Sequence, residues 1–164
     1  RLSKIRQKDF IREINYLVGV HHSYEIFLKK KNIAFINDSK ATSFEATKYA
    51  LSNSKNIYWI LGGLPKKNDK IYLDEIKKNI IKCYIFGKNT EFFKKKVQNK
   101  INFSITKNLK TSLIAIFKDI KLSNIKENTI LLSPASASYD QFMNFEKRGD
   151  EFKKLSRLYA RKFN

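Results

Sequence analysis

The chain has 164 residues, 42% apolar and 13% aromatic, which suits one globular domain with a proper core and excludes a disordered segment. Its 34 Lys and Arg against 15 Asp and Glu give a formal net charge of +19, but the lysines are spread along the whole chain and arginine is sparse. That pattern reads as a solvated basic surface rather than a nucleic-acid-binding patch.

No apolar run approaches the ~18–20 residues of a membrane span, and no signal peptide is apparent. The one cysteine, Cys83, lies in the apolar run CYIFG, so it reads as a buried, inert thiol in a reducing cytoplasm.

In chain order, SKIRQKDFIREINYLV (3–18) places Ile5, Phe10, Ile14 and Leu17 at near-helical spacing, with Gly19 as the stop. A boundary near residue 20 separates this segment from the rest. YEIFLKK (24–30) and NIAFIND (32–38) predict two short strands. A helix over about 43–53 and a strand, NIYWILGG (56–63), follow. Next come a helix over about 72–80, the strand KCYIFG (82–87), a helix over about 90–98 and a weak strand, NFSIT (102–106). LKTSLIAIFKDI (109–120) is amphipathic, with Leu109, Leu113, Ile116, Phe117 and Ile120 on one stripe. TILLSP (129–134) predicts the last strand, and the tail from 139 reads as helix, broken or bent near Gly149. Strands alternating with helices predict an α/β fold, a mostly parallel sheet with helices on both faces, preceded by a short helical remnant. The all-apolar strands WIL, YIF and ILL agree, because parallel strands are buried on both sides.

Three strand ends carry unusual chemistry. They are Asn37-Asp38-Ser39-Lys40-Ala41-Thr42, Gly62-Gly63-Leu64-Pro65-Lys66-Lys67, and the run of small residues from Ser133 to Ser138. Both prolines, and two of the five glycines, fall in these loops. In an open parallel sheet, ligands bind outside the carboxyl ends of the strands. Thr42 with Glu45, and Ser138 with Gln141, match the capping box, so a helix is expected to start directly after each strand. Two helix N-termini beside Lys66 would suit a small dianion, a dicarboxylate or a phosphate. Gly87-Lys88-Asn89 lacks the leading glycine and the hydroxyl residue of a P-loop, so no such loop is present in this chain.

The motifs FINDSKAT, ILGGLPK and LLSPASASYDQFMNFEKRGDEF together resemble the carboxy-terminal domain of the D-glutamate-adding Mur ligases. The resemblance covers residues 19–164, with 1–18 similar to the helical end of the preceding central domain. It implies a three-domain, ATP-dependent amide-bond ligase of cytoplasmic peptidoglycan and cell-wall synthesis. Its substrates would be D-glutamate and UDP-N-acetylmuramoyl-L-alanine. It would act as a monomer, without nucleic acid or membrane partners. The P-loop and the ligands of Mg2+ would lie in the missing central domain, leaving this fragment inactive alone.

Carried over residue by residue, Thr42 and Lys66 would hold one D-glutamate carboxylate. Ser138, the backbone around Tyr139, and Phe145 would hold the other. Asp38 would contact the ATP ribose, and Lys40 would face the nucleotide phosphates and the acyl phosphate. His22 matches the histidine of the interdomain segment and joins Lys40 as a candidate catalytic residue. The segment Gly19-Val20-His21-His22-Ser23 lacks the family's proline, and Ser23 stands where a nucleotide-contacting arginine is usual. Ser136 replaces a common cysteine, and Leu64-Pro65 replaces a more polar turn. The alternatives are another Mur or folylpolyglutamate-type ligase, against which the absence of D-N-P-R speaks, and a basic nucleic-acid-binding domain.

Overall fold

The computed structural model describes residues 21–163, so the helix expected over 3–18 and its glycine stop lie outside the described residues. The described chain runs β1 (Glu25–Lys30), β2 (Ile33–Asn37), α1 (Phe44–Ser52), β3 (Ile57–Gly62), a single 3-10 turn (Lys77–Asn79) and β4 (Ile80–Phe86). It continues with α2 (Thr90–Val97), β5 (Phe103–Ile105), α3 (Leu109–Leu122), β6 (Asn128–Leu132) and α4 (Phe145–Lys162). The six strands form one sheet in the order β1-β2-β6-β3-β4-β5. Every pairing is parallel except the β1–β2 hairpin at one edge.

The central strands show why they read as continuous apolar runs. Successive side chains of a strand point to opposite faces. In β3, Trp59 and Leu61 enter a core with Phe44, Leu51 and Phe93 beneath α1 and α2. Tyr58 and Ile60 enter the other, with Leu113, Phe117 and Phe152 beneath α3 and α4. Both faces are covered, so the α/β fold with helices on both sides is observed. All five residues of the α3 stripe are buried, and Cys83 is fully buried, its thiol pushed up by that burial.

Two expected elements differ. The segment 72–80 is not a helix. Lys77 N–H donates to Leu73 O and Asn79 N–H to Ile76 O, so it makes about one turn before β4 takes Ile80. No capping side chain starts it, and a helix this short has little to offset the cost of nucleation. The tail is also not helical from 139. Residues 139–144 form turns, and α4 starts at Phe145, capped by Asn144 Oδ1, which accepts Lys147 N–H at 2.8 Å. Helix α4 passes through Gly149 without a break. Its glycine serves close approach: a Cβ there would lie 2.2 Å from His22 Nδ1 and 2.9 Å from Asn37 Nδ2.

Candidate substrate-binding site

The adjacent strands β2, β6 and β3 end in the three chemically unusual loops, so sheet order brings those loops side by side. Asp38 N–H donates to Leu132 O at 2.8 Å, and Ser133 Oγ donates to Asp38 Oδ2 at 2.6 Å. Gly62 N–H donates to Pro134 O at 3.0 Å, Ser136 Oγ to Gly62 O at 2.7 Å, and Trp59 Nε1 to Ser133 O at 2.7 Å. Leu64 and Ala137 exchange two backbone hydrogen bonds of 2.8 and 3.0 Å.

The small residues of the 133–138 run therefore admit the protein's own backbone. A Cβ on Gly63 would lie 2.4 Å from both Ala137 O and Ser136 Oγ, and Gly63 has φ +135°. Ala135 is held at φ 57°, a left-handed conformation uncommon for a residue with a Cβ.

Arg148 locks the arrangement. It is fully buried. Its Nε donates to Ser39 Oγ at 3.0 Å, and its Nη2 donates to Ser39 O at 2.8 Å and Ser136 O at 2.9 Å. One guanidinium thus joins the loops after β2 and β6 from helix α4. Burial lowers its pKa to about 10, partly opposed by the charge of Asp140. The motif around it is equally legible in place. Asp140 Oδ2 accepts Lys88 N–H at 3.4 Å, Gln141 Nε2 donates to Lys107 O at 2.9 Å, Phe142 packs on the α3–α4 core, and Asn144 caps α4.

The helix starts differ from expectation. Ser43, not Thr42, caps α1, its Oγ accepting Ala46 N–H at 3.3 Å. No helix begins at Ser138. Gln141 and Phe142 N–H both donate to Ser138 O, which closes a turn. The capping-box spacing was satisfied at both places, but a competing cap one or six residues on had the backbone geometry. The first N–H of α1 is also taken. Phe44 N–H donates to Asp69 Oδ2 at 2.7 Å, so an internal carboxylate sits at that helix end. What remains open is the 138–140 turn: among the described residues, the N–H groups of Ser138, Tyr139 and Asp140 meet no protein acceptor.

The candidate residues fall around this edge in different environments. Lys40 and Lys66 are exposed, Thr42 and Phe145 half-buried, and Ser138 buried. Tyr139 is 72% exposed.

Asp38 is buried, and Tyr24 N–H donates to its Oδ1 at 3.0 Å. Burial pushes its carboxyl up to about 6, against the hydrogen bonds from Ser133 and Tyr24.

His22 is buried beneath α4, with its ring edge-on to Phe145 at 6.0 Å. Burial, reinforced by Lys153, holds its imidazole below the ordinary value against the charges of Asp150 and Glu25. Asn37 Nδ2, 2.9 Å away, donates to Nδ1 of the neutral ring, which leaves the ring proton on Nε2, 3.8 Å from Asp150. His22 O accepts Lys40 N–H at 2.9 Å, so the entry segment is tied to the FINDSKAT loop.

Sequence reasoning missed Arg148, Ser39, Asn37, Asp69 and Asp140. Arg148 and Asp140 lay inside the quoted motif, but nothing in their spacing marked one as buried cement and the other as a turn clamp. Asp69 carried no local signal.

The candidate edge lies at the carboxyl ends of β2, β6 and β3. A groove of about 380 Å³, lined by Tyr24, Ile26 and Asn128 among others, lies beside the β1–β2 hairpin instead. Among the described residues no group of three His, Cys, Asp or Glu side chains is suited to hold a metal ion, and no helix is long and apolar enough to cross a membrane.

The fold and this edge define an α/β domain of the Rossmann-like kind, with its candidate site at the carboxyl ends of β2, β6 and β3. No family model matches the chain. Curated relatives do. A protein named UDP-N-acetylmuramoylalanine--D-glutamate ligase from Nitrobacter hamburgensis is 38% identical over 146 residues, 89% of this chain and 31% of the relative. Ligases of the same name from the Wolbachia of Brugia malayi (38% over 152 residues, 93% of this chain and 30% of the relative) and from Rickettsia felis (35% over 159 residues, 95% and 35%) are similarly close. The chain is thus similar over about nine-tenths of its length to proteins of this one name, and it spans about a third of the length of the curated relatives it matches.

Proposed function

We propose that the chain is the carboxy-terminal domain of an ATP-dependent ligase that adds D-glutamate to UDP-N-acetylmuramoyl-L-alanine in cytoplasmic peptidoglycan synthesis. The observation that carries this reading is the edge where β2, β6 and β3 end, at which the Leu64–Ala137 pair joins the loop of Lys66 to the loop that continues into the 138–140 turn. A dicarboxylic amino acid offers one anion to each of these two sets of donors. Lys66 and the Thr42 hydroxyl hold one carboxylate. Ser138 Oγ and the N–H groups of the turn hold the other, with Phe145 as the apolar wall. Consecutive N–H groups in a turn make a concavity suited to an anion.

ATP supplies an activated carboxyl phosphate for the amine to attack. Lys40, exposed on the loop after β2, supplies the cation that a transferring phosphoryl group needs. Asp38 has an acceptor site left on each oxygen for a ribose hydroxyl. His22 holds the entry segment against α4. The P-loop and the Mg2+ ligands belong to the part of the ligase not present here, as does the site for the UDP-sugar. The role of this chain is to hold the amine against the acyl carbon, which is catalysis by positioning.

The test is an NMR titration of the 164-residue chain with D-glutamate. Saturable shifts are expected at the Thr42, Lys66, Ser138 and Tyr139 amides. Loss of a charge-assisted bond in Lys66→Ala should weaken binding by about 10- to 150-fold, with a smaller effect in Ser138→Ala. The chain alone should release no phosphate from ATP. Absence of saturable shifts, or equal binding of L- and D-glutamate, overturns the reading.

A further inference from the structure

The loop from Leu64 to Lys70 bears Lys66 but belongs to no helix or strand, so something else must fix it. Four contacts do so. At its start, Leu64 pairs with Ala137. At its end, the Asp69 carboxylate accepts the first N–H of α1 at 2.7 Å, and Asp69 O accepts Lys96 Nζ from α2 at 2.9 Å. Between them, Asp69 N–H donates back to Lys66 O at 3.3 Å and closes the turn that carries the lysine. Asp69 is the one residue of the loop bonded to α1, to α2 and to Lys66.

We propose that Asp69 is the positioning residue for Lys66. Its carboxylate uses the helix N-terminus as an anchor point, where the N–H and the positive end of the dipole both favour an anion. The inference rests on the reading of Lys66 as a D-glutamate ligand, and it changes how that ligand is held. The first N–H of α1 is already committed to Asp69, so the substrate carboxylate relies on the Lys66 ammonium and the Thr42 hydroxyl. The lysine reaches it only while Asp69 stays docked. A glutamate at this position, one methylene longer, would push the loop outward.

The experiment compares Asp69→Ala, Asp69→Asn, Lys66→Ala and the Asp69→Ala/Lys66→Ala double variant in the full chain. Amide hydrogen exchange is read without ligand, and D-glutamate affinity by NMR titration. In Asp69→Ala, exchange at Phe44 and through 66–70 should rise by about tenfold or more, because the anchored segment opens locally. D-Glutamate affinity should fall about five- to tenfold, be restored by Asp69→Asn, which keeps an acceptor oxygen, and show no further loss in the Lys66→Ala background.

Unchanged exchange in Asp69→Ala overturns the anchoring. A loss of affinity that persists in the Lys66→Ala background overturns the positioning role. If the unsubstituted chain binds no D-glutamate, the reading of the site fails, while the exchange measurement still decides whether Asp69 fixes the loop.

Discussion

The hydroxyl of Ser133 donates to the carboxylate of Asp38 at 2.6 Å, a bond between residues 95 positions apart that closes the seam between the ends of β6 and β2. Tyr24 N–H completes the site of this carboxylate. Two donors do not make up for the loss of water around a buried acid, which is why the carboxyl sits at about 6 instead of 3.8.

Stability should therefore depend on pH with a definite sign. Between about pH 4 and 6 the folded chain keeps a proton on Asp38 that the unfolded chain has lost. The contribution of Asp38 is full below pH 3.8 and disappears as pH rises through about 6. The difference in unfolding free energy between the unsubstituted chain and Asp38→Asn should shrink by about 2–3 kcal/mol across that window. Urea midpoints at pH 4 and pH 7 measure it. A pH-independent difference would place the Asp38 carboxyl in an ordinary environment.

Arg148→Met should destabilise the chain by about 2–4 kcal/mol, because three buried acceptors around Ser39 and Ser136 lose their donors while little side-chain volume changes. Arg148→Lys should recover only part of this, since an ammonium cannot span the same fork. Denaturant midpoints of the three chains decide it. An effect below about 0.5 kcal/mol, the range of an ordinary surface change, would contradict the role assigned to the guanidinium.

Gly149→Ala reverses a general preference. In an exposed helix interior the change stabilises by about 1 kcal/mol. Here the new methyl would meet His22 Nδ1 at 2.2 Å. A loss of about 1–3 kcal/mol is expected as His22 and Asn37 are displaced. A rise in thermal midpoint would show that α4 and the entry segment are not packed as described.

The helix starts can be checked in the same way. Ser43→Ala and Asn144→Ala should each cost about 1 kcal/mol, whereas Thr42→Ala should cost little stability, because its hydroxyl does not cap α1. Thermal melts of the three variants separate the true caps from the position that only matched their spacing.

These contrasts show what kinds of information a sequence of this type carries. The strands were legible because burial on both faces leaves Trp59, Ile60 and Leu61 all apolar, and α3 because its stripe repeats at helical period. Adjacency of the three loops was also within reach, since ligand edges follow from parallel topology.

The segment 72–80 misled because Leu73, Ile76 and Ile80 have helical spacing, yet the last of them belongs to a strand. Gly149 misled because its purpose lies in His22, far away in the chain. The cap positions failed by competition. Thr42 and Ser138 had the right partner three residues on, but Ser43 and Asn144 had the right backbone, with φ of −148° and −158°. The partners of Arg148 and Asp69 are set by tertiary contacts that no local window contains.

The span of the Arg148 contacts has a consequence for how the domain is made. The guanidinium joins Ser39 across 109 positions, and β6 slots between β2 and β3 only after most of the chain exists. Contacts of such long sequence separation form late and slowly, because the entropy of closing the intervening loop is lost first. A growing polypeptide that stops short of α4 can pair its β1–β2 hairpin and begin its first core, but it lacks the guanidinium that joins the loops of the candidate edge. The proposed binding edge is thus complete only once α4 has been made, and removing α4 should abolish any binding there before the rest of the sheet gives way.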